Sequence, residues 1–186
     1  MVYPVRLLGE RTVLRELAAE DLDAVHAIVG DERVTRWLSF DSRSRDQASE
    51  MLVGVLNRAQ LENRSEYYLG VTELDSDALI GFVRLVRSGV QAGKLGYAVN
   101  ADYWRRGYAR DAARTMTSFG FTQLELHRIS AAVGPDNARS TNLLKDLGFA
   151  YEGRIRDHVY TNGGWRDSLL YSSLEYEWAE RAGSGV

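Results

Sequence analysis

The stretch Lys94–Val133 constrains the fold more than any other. A short run rich in aromatic and β-branched residues, Lys94–Asn100, gives way to a basic turn holding one glycine. A helical pattern follows over Arg106–Phe121, with Ala109, Ala113 and Met116 on one side and Ala112 and Phe119 beside them. Arg128–Val133 then reads as a strand. Two strands joined through a helix must lie parallel in one sheet, by a right-handed crossover.

The flanking segments extend that sheet. Val5–Glu16 reads as a strand with a turn at Gly9-Glu10, and Glu20–Val29 as a short helix. Ser44-Arg45-Asp46-Gln47 is a capping box. Behind it Ala48, Met51, Leu52, Val55, Leu56 and Ala59 form one apolar helical stripe. Tyr67–Glu73 and Leu79–Arg87 are strands, and Asp75-Ser76-Asp77 and Ser88-Gly89 are turns too short for anything but antiparallel neighbours. Asn137–Leu147 reads as a helix closed by Gly148. Phe149–Tyr160 and Trp165–Trp178 flank Thr161-Asn162-Gly163-Gly164, a hairpin signal. The expected fold is α/β, an α+β mixed sheet with an antiparallel first half, one β-α-β crossover with parallel central strands, and a C-terminal hairpin. Residues 1–180 are expected to form one domain, and 181–186 a flexible tail.

Composition narrows the function. The 186 residues carry a net charge of −3 and no cysteine. Acidic balance argues against direct nucleic-acid binding, which needs a basic face. Without cysteine there is no disulfide, thiolate metal site or thiol nucleophile. His26, His127 and His158 are scattered without metal-ligand spacing, so no metal is expected. No apolar run approaches the ~18–20 residues that span a bilayer. The opening Met-Val-Tyr-Pro-Val-Arg has no basic-then-apolar pattern. A cytoplasmic protein without a membrane partner is the expectation.

Two segments carry chemistry. In Trp104-Arg105-Arg106-Gly107-Tyr108-Ala109-Arg110 a helix opens on a basic turn. Free first-turn amides at the positive end of a helix dipole bind anions, and Gly107 lets a phosphate approach. The same residues also suit an ordinary solvated helix start. A dinucleotide fingerprint needs three glycines, and a P-loop needs Gly-Lys-Ser/Thr, where Gly93-Lys94 is followed by Leu95. In Asn137–Phe149, Asn137 suits an N-cap, and Leu143, Leu144 and Leu147 suit the core.

Together these segments resemble the GNAT superfamily of N-acetyltransferases. Its Gln/Arg-x-x-Gly-x-Gly/Ala motif reads here Trp104-Arg105-Arg106-Gly107-Tyr108-Ala109. Its Asn-x-x-Ala/Ser…Gly-Phe helix reads Asn137, Ser140, Gly148 and Phe149. The resemblance covers roughly Arg6–Trp178. Leu8-Gly9-Glu10-Arg11-Thr12-Val13-Leu14-Arg15 and the Gly-Tyr-Ala turn are similar to the RimJ/RimL type, the ribosomal-protein N-terminal acetyltransferases and their relatives. Two positions depart from the pattern. Trp104 replaces Gln or Arg, and Leu144 stands where a proton-donating tyrosine is frequent.

The resemblance implies direct acetyl transfer from acetyl-CoA to a primary amine in a ternary complex. The pyrophosphate would meet the amides of Arg105, Arg106, Gly107, Tyr108, Ala109 and Arg110, with the charges of Arg105, Arg106 and Arg110 added. The pantetheine would run along Tyr97–Val99 as an added strand. The Val99 amide would hold the thioester oxygen, and Asn137 the pantetheine arm. Ser140 would face the sulfur and protonate the leaving thiolate; its alternative is a first-turn serine bonded to backbone. Glu66 is the candidate base, with Tyr97 and Asp102 behind it; otherwise it is a solvated strand-end residue. Trp37, Phe40, His158 and Tyr160 border the acceptor pocket in that fold, although aromatic packing also suits such residues. An α-amine, with a pKa about 2.5 units below a lysine amine, saves roughly 3.4 kcal/mol of deprotonation, so it needs only a modest base. A protein N terminus is the expected acceptor. A small-molecule amine (antibiotic, polyamine or amino acid) is the alternative, and a non-catalytic acyl-CoA-binding module the alternative of another class. Homodimers are common in the fold and remain open here.

Overall fold

A computed structural model describes residues 3–183. One sheet of eight strands runs through it in the order β1-β2-β3-β4-β5-β6-β8-β7. These are β1 (Arg6–Leu8), β2 (Thr12–Glu16), β3 (Glu66–Glu73), β4 (Leu79–Arg87), β5 (Ala92–Val99), β6 (Arg128–Val133), β7 (Ala150–Thr161) and β8 (Gly164–Leu174). Every neighbouring pair is antiparallel except β5–β6, the crossover pair. The turn expected at Gly9-Glu10 divides Val5–Glu16 into β1 and β2.

Helices cover both faces. On one side α1 (Leu22–Val29), the single turn α2 (Glu32–Thr35) and α3 (Arg45–Ala59) pack through Ile28, Leu52 and Val55 on Tyr68, Phe82 and Ala98. The capping box forms as read: the Ser44 hydroxyl accepts the Gln47 amide at 3.3 Å, and the Gln47 side chain accepts the Ser44 amide at 2.9 Å. On the other side α4 (Tyr108–Thr122) and α5 (Ala138–Asp146) bury Ala113, Met116, Phe119 and Leu144 against Leu69, Val83, Leu85 and Leu95. Alternate side chains of a strand point to opposite faces, so each central strand feeds both cores.

Two expectations need correction. The last strand stops at Leu174, not Trp178, and α6 (Glu175–Gly183) follows. Glu175 and Glu177 sit in its first turn, where acids suit the helix dipole, and the Glu177 carboxylate accepts the Leu174 amide at 2.9 Å. Trp178 thereby packs on Phe121 and Phe149 and donates its indole N–H to Ser118. Of the expected tail, Arg181–Gly183 are the end of α6, and 184–186 lie outside the described residues. Among the described residues no helix is long and apolar enough to cross a membrane.

Candidate active site

The parallel pair β5–β6 is short. It bonds only at Ala92–Lys94 with Arg128–Ser130, although β5 continues to Val99 and β6 to Val133. Beyond Ser130 the strands splay. On the β4 side the ladder continues to the end, and the Asn100 amide donates to the Ile80 carbonyl at 2.8 Å. Bonding alternates along an antiparallel ladder, so Tyr97 and Val99 turn their peptide groups away from β4, into the splay. The Val99 carbonyl is taken by the Trp104 indole N–H at 2.7 Å. Its amide faces the opening. A cavity of about 910 Å³ fills this opening, near the upper end of the usual size for a small-molecule site.

At one end of the cavity lies the start of α4. Gly107 is its N-cap, at φ +84°, where a side chain is strained, and a Cβ there would meet nothing closer than Arg11 at 3.6 Å. Arg105 also has positive φ, 65°. The amides of Tyr108, Ala109 and Arg110 belong to the first turn and lack helical partners. Arg105, Gly107, Tyr108, Ala109 and Arg110 line the cavity; Arg106 does not. Its guanidinium lies over Tyr103 at 5.2 Å and donates to the Asp102 carbonyl, so this side chain is turned from the cavity.

Asp111, which the sequence reading passed over, holds this helix end in place. Its buried carboxylate accepts the amides of Glu10, Arg11 and Thr12 and the Thr12 hydroxyl, at 2.7–3.0 Å. Gly9 permits the approach, because a Cβ there would collide with that carboxylate. Tyr108 adds a hydrogen bond to Glu73.

The start of α5 forms the next wall. Asn137 is the N-cap expected, its side-chain oxygen accepting the Ser140 amide at 3.1 Å. Asn137 also lines the cavity. Ser140 and Tyr97 both line the cavity. The Tyr97 hydroxyl is buried with no partner in hydrogen-bond geometry. Burial pushes its pKa up to about 12, with Ser140 close enough to offset this in part. Leu144 is fully buried in the core.

The far end separates the remaining candidates. Trp37 and His158 line the cavity, and His158 Nδ1 bonds to Ser168 at 2.9 Å. Phe40 does not reach it; it packs on the α1–α3 core under the Arg43 guanidinium. Tyr160 is also outside, exposed at the hairpin and edge-on to Trp165. Glu66 is buried beside the cavity without lining it, both oxygens held by Arg58 and Arg84. Burial alone would raise its pKa, but the hydrogen bonds from Arg84 and Arg58 prevail and hold it below the usual carboxylate range. A carboxylate so engaged is a poor proton acceptor, which removes the case for Glu66 as base. Asp102 faces Arg33 instead, at 3.1 Å. Arg84, Arg166 and Ser168 line the cavity and had no local signal in the sequence. Their arrival depends on strand register.

The family model for the acetyltransferase (GNAT) domain matches residues 11–150. The chain is 30% identical over 184 residues to the [ribosomal protein uS5]-alanine N-acetyltransferase of Escherichia coli (strain K12), covering 95% of this chain and 94% of that protein. It is 28% identical over 176 residues to the uncharacterised N-acetyltransferase YoaA of Bacillus subtilis (strain 168), covering 94% and 98%. Among solved structures, Mycobacterium smegmatis RimJ in complex with CoA-disulfide superposes with a TM-score of 0.84 at 20% identity, covering 98% of this chain and 96% of that one.

Proposed function

Because the chain belongs to the GNAT acetyltransferase family, RimJ/RimL-like within it, and is an acetyl-CoA-dependent N-acetyltransferase, we propose that its acceptor is the α-amine of a protein or peptide N terminus. The lining of the far end carries this reading: Trp37, His158, Arg166 and Ser168 gather there, joined by the bonds of Arg166 to the Arg36 and Leu38 carbonyls and of His158 to Ser168. The one carboxylate lining the cavity, among the described residues, is Asp146 on α5. A polyamine is a row of ammonium groups and needs complementary acids. A peptide terminus needs an aromatic contact and donors for its carbonyls, which this end supplies. The name of the E. coli relative, an alanine N-acetyltransferase of a ribosomal protein, points the same way.

In this reading acetyl-CoA lies along the splay. Its pyrophosphate meets the amides of Tyr108–Arg110 and the charges of Arg105 and Arg110. Its pantetheine adds a strand to Tyr97 and Val99, with the Asn137 NH₂ on a pantetheine carbonyl. The neutral α-amine attacks the thioester carbonyl carbon, and the Val99 amide stabilises the negative charge on its oxygen. The C–S bond then breaks. Ser140, with Tyr97 behind it, donates its hydroxyl proton to the departing thiolate and regains a proton from solvent. The amine proton passes to His158 or to water, and the modest pKa of an α-amine makes that sufficient.

Initial rates of CoA release at neutral pH test the acceptor. Peptides with a free N-terminal alanine or serine should exceed both spermidine and the same peptides with blocked N termini. Spermidine as the best acceptor would overturn the reading.

A further inference from the structure

The cavity lining is unevenly charged. Among the described residues six cations reach it, Arg84, Lys94, Arg105, Arg110, Arg139 and Arg166, against Asp146. Most have an occupation. Arg105 and Arg110 flank the start of α4, Arg139 lies over the Trp104 ring at 5.1 Å, and Arg84 is paired with Glu66. Arg166 differs. It reaches from β8 to lie against Gly134, just past the end of β6. One terminal nitrogen donates to the Arg36 carbonyl at 3.1 Å and the other to the Leu38 carbonyl at 2.8 Å. Its Nε is buried without an acceptor. Among the described residues no carboxylate offsets the burial, which lowers its pKa. An uncompensated cation in a partly desolvated wall is costly unless an anion joins it in the working complex.

A guanidinium has five N–H groups. Two go to the carbonyls and the Nε one is shut away, which leaves one on each terminal nitrogen. These two donors, on a guanidinium that lines the cavity, are open to the oxygens of a carboxylate. We propose that Arg166 receives a carboxylate of the acceptor, so that the preferred substrate carries an acid group close to its amine. The carboxylate belongs either to a free amino acid or to an Asp or Glu side chain next to a peptide N terminus. This inference rests on the acetyltransferase reading and narrows its substrate. The carbonyl bonds also anchor the segment that carries Trp37, so charge recognition and the aromatic wall meet at one side chain.

Matched acceptors test it: an amino acid against its amide, and peptides beginning Ala-Asp against Ala-Asn, each with acetyl-CoA. In the native enzyme the acid member of at least one pair should have the higher kcat/KM, by about ten- to a hundredfold, the range of one charge-assisted hydrogen bond. The pair that discriminates identifies the source of the carboxylate. In Arg166→Gln that ratio should fall to about one, through KM more than kcat. Arg166→Lys, which keeps the charge but loses the fork, should fall between. A ratio near one in the native enzyme for both pairs would overturn the inference and leave the acetyltransferase reading standing. An Arg166→Gln enzyme that is slower on both members but keeps the native ratio would do the same, since that is the mark of loop support alone. No turnover of any acceptor would overturn the underlying reading and this inference with it.

Discussion

At the residue scale, Gly107 shows what a sequence can and cannot say. The motif marks a glycine where a phosphate must come close, but only the structure supplies its φ of +84°. A β-carbon at this position would meet only Arg11, at an ordinary 3.6 Å, yet valine would be held in a left-handed conformation. Gly107→Val should therefore cost about 2 kcal/mol of stability, read by urea unfolding, and weaken CoA binding at least tenfold, read by calorimetry. Unchanged CoA affinity would place the phosphate site elsewhere. Ser140→Ala should lower kcat by about a hundredfold and leave acetyl-CoA affinity nearly intact, because the thiolate exists only late in the reaction. Glu66 was readable as an acid at the start of a strand, but its two arginine partners come from α3 and β4 and no local pattern announces them. If Glu66 were the base, Glu66→Gln would lose most activity near neutral pH and recover it toward about pH 9, as the amine deprotonates unaided. A carboxylate already held by Arg58 and Arg84 predicts instead a change of equal size at every pH. The pH–rate profile of the variant distinguishes the two.

At the element scale, the helices with strong caps and the strands with strong turns were readable because their signals are local. The Ser44 box, the Asn137 cap and the Asn162-Gly163 turn all act within four residues. The last strand was misjudged because the alternation of Trp165–Leu174 runs into a helix whose only marks are acids in its first turn. Tertiary packing of Trp178 on Phe121 and Phe149 decides that boundary. Asp111 was missed for a related reason. Its carboxylate looks like an ordinary acid in a helix first turn, and its partners lie about a hundred positions away. The consequence for α4 is large. Asp111→Ala would leave the amides of Glu10, Arg11 and Thr12 without their acceptor, Thr12 being fully buried. We expect a loss of about 3 kcal/mol or more in urea unfolding, with a parallel loss of CoA affinity as the helix start comes loose. A variant of native stability would show that the β1–β2 turn does not hold this helix.

At the scale of the whole molecule, the site is a defect in an otherwise continuous sheet. Of its seven strand pairs one, β5–β6, bonds for only part of the length of its strands. The sequence pointed to both strands and to the helix between them, but where pairing stops is a property of sheet twist and packing. The residues that reach the opening from β7, β8 and the α2–α3 segment depend on that long-range geometry: of the four aromatic and histidine candidates Trp37 and His158 line it, Phe40 and Tyr160 lie outside, and Arg166 arrives with no local signal. Acetyl-CoA lying along the free edge of β5 makes a direct demand on amide hydrogen exchange. Without ligand, the Tyr97 and Val99 amides face the cavity with no strand partner and should exchange faster than those of Gly96 and Ala98, which bond to β4. Saturating CoA should slow Tyr97, Val99 and the Tyr108–Arg110 amides together. Protection of those amides by CoA is the expected result; CoA that leaves all of them unchanged, while protecting amides elsewhere, would contradict cofactor binding in the splay.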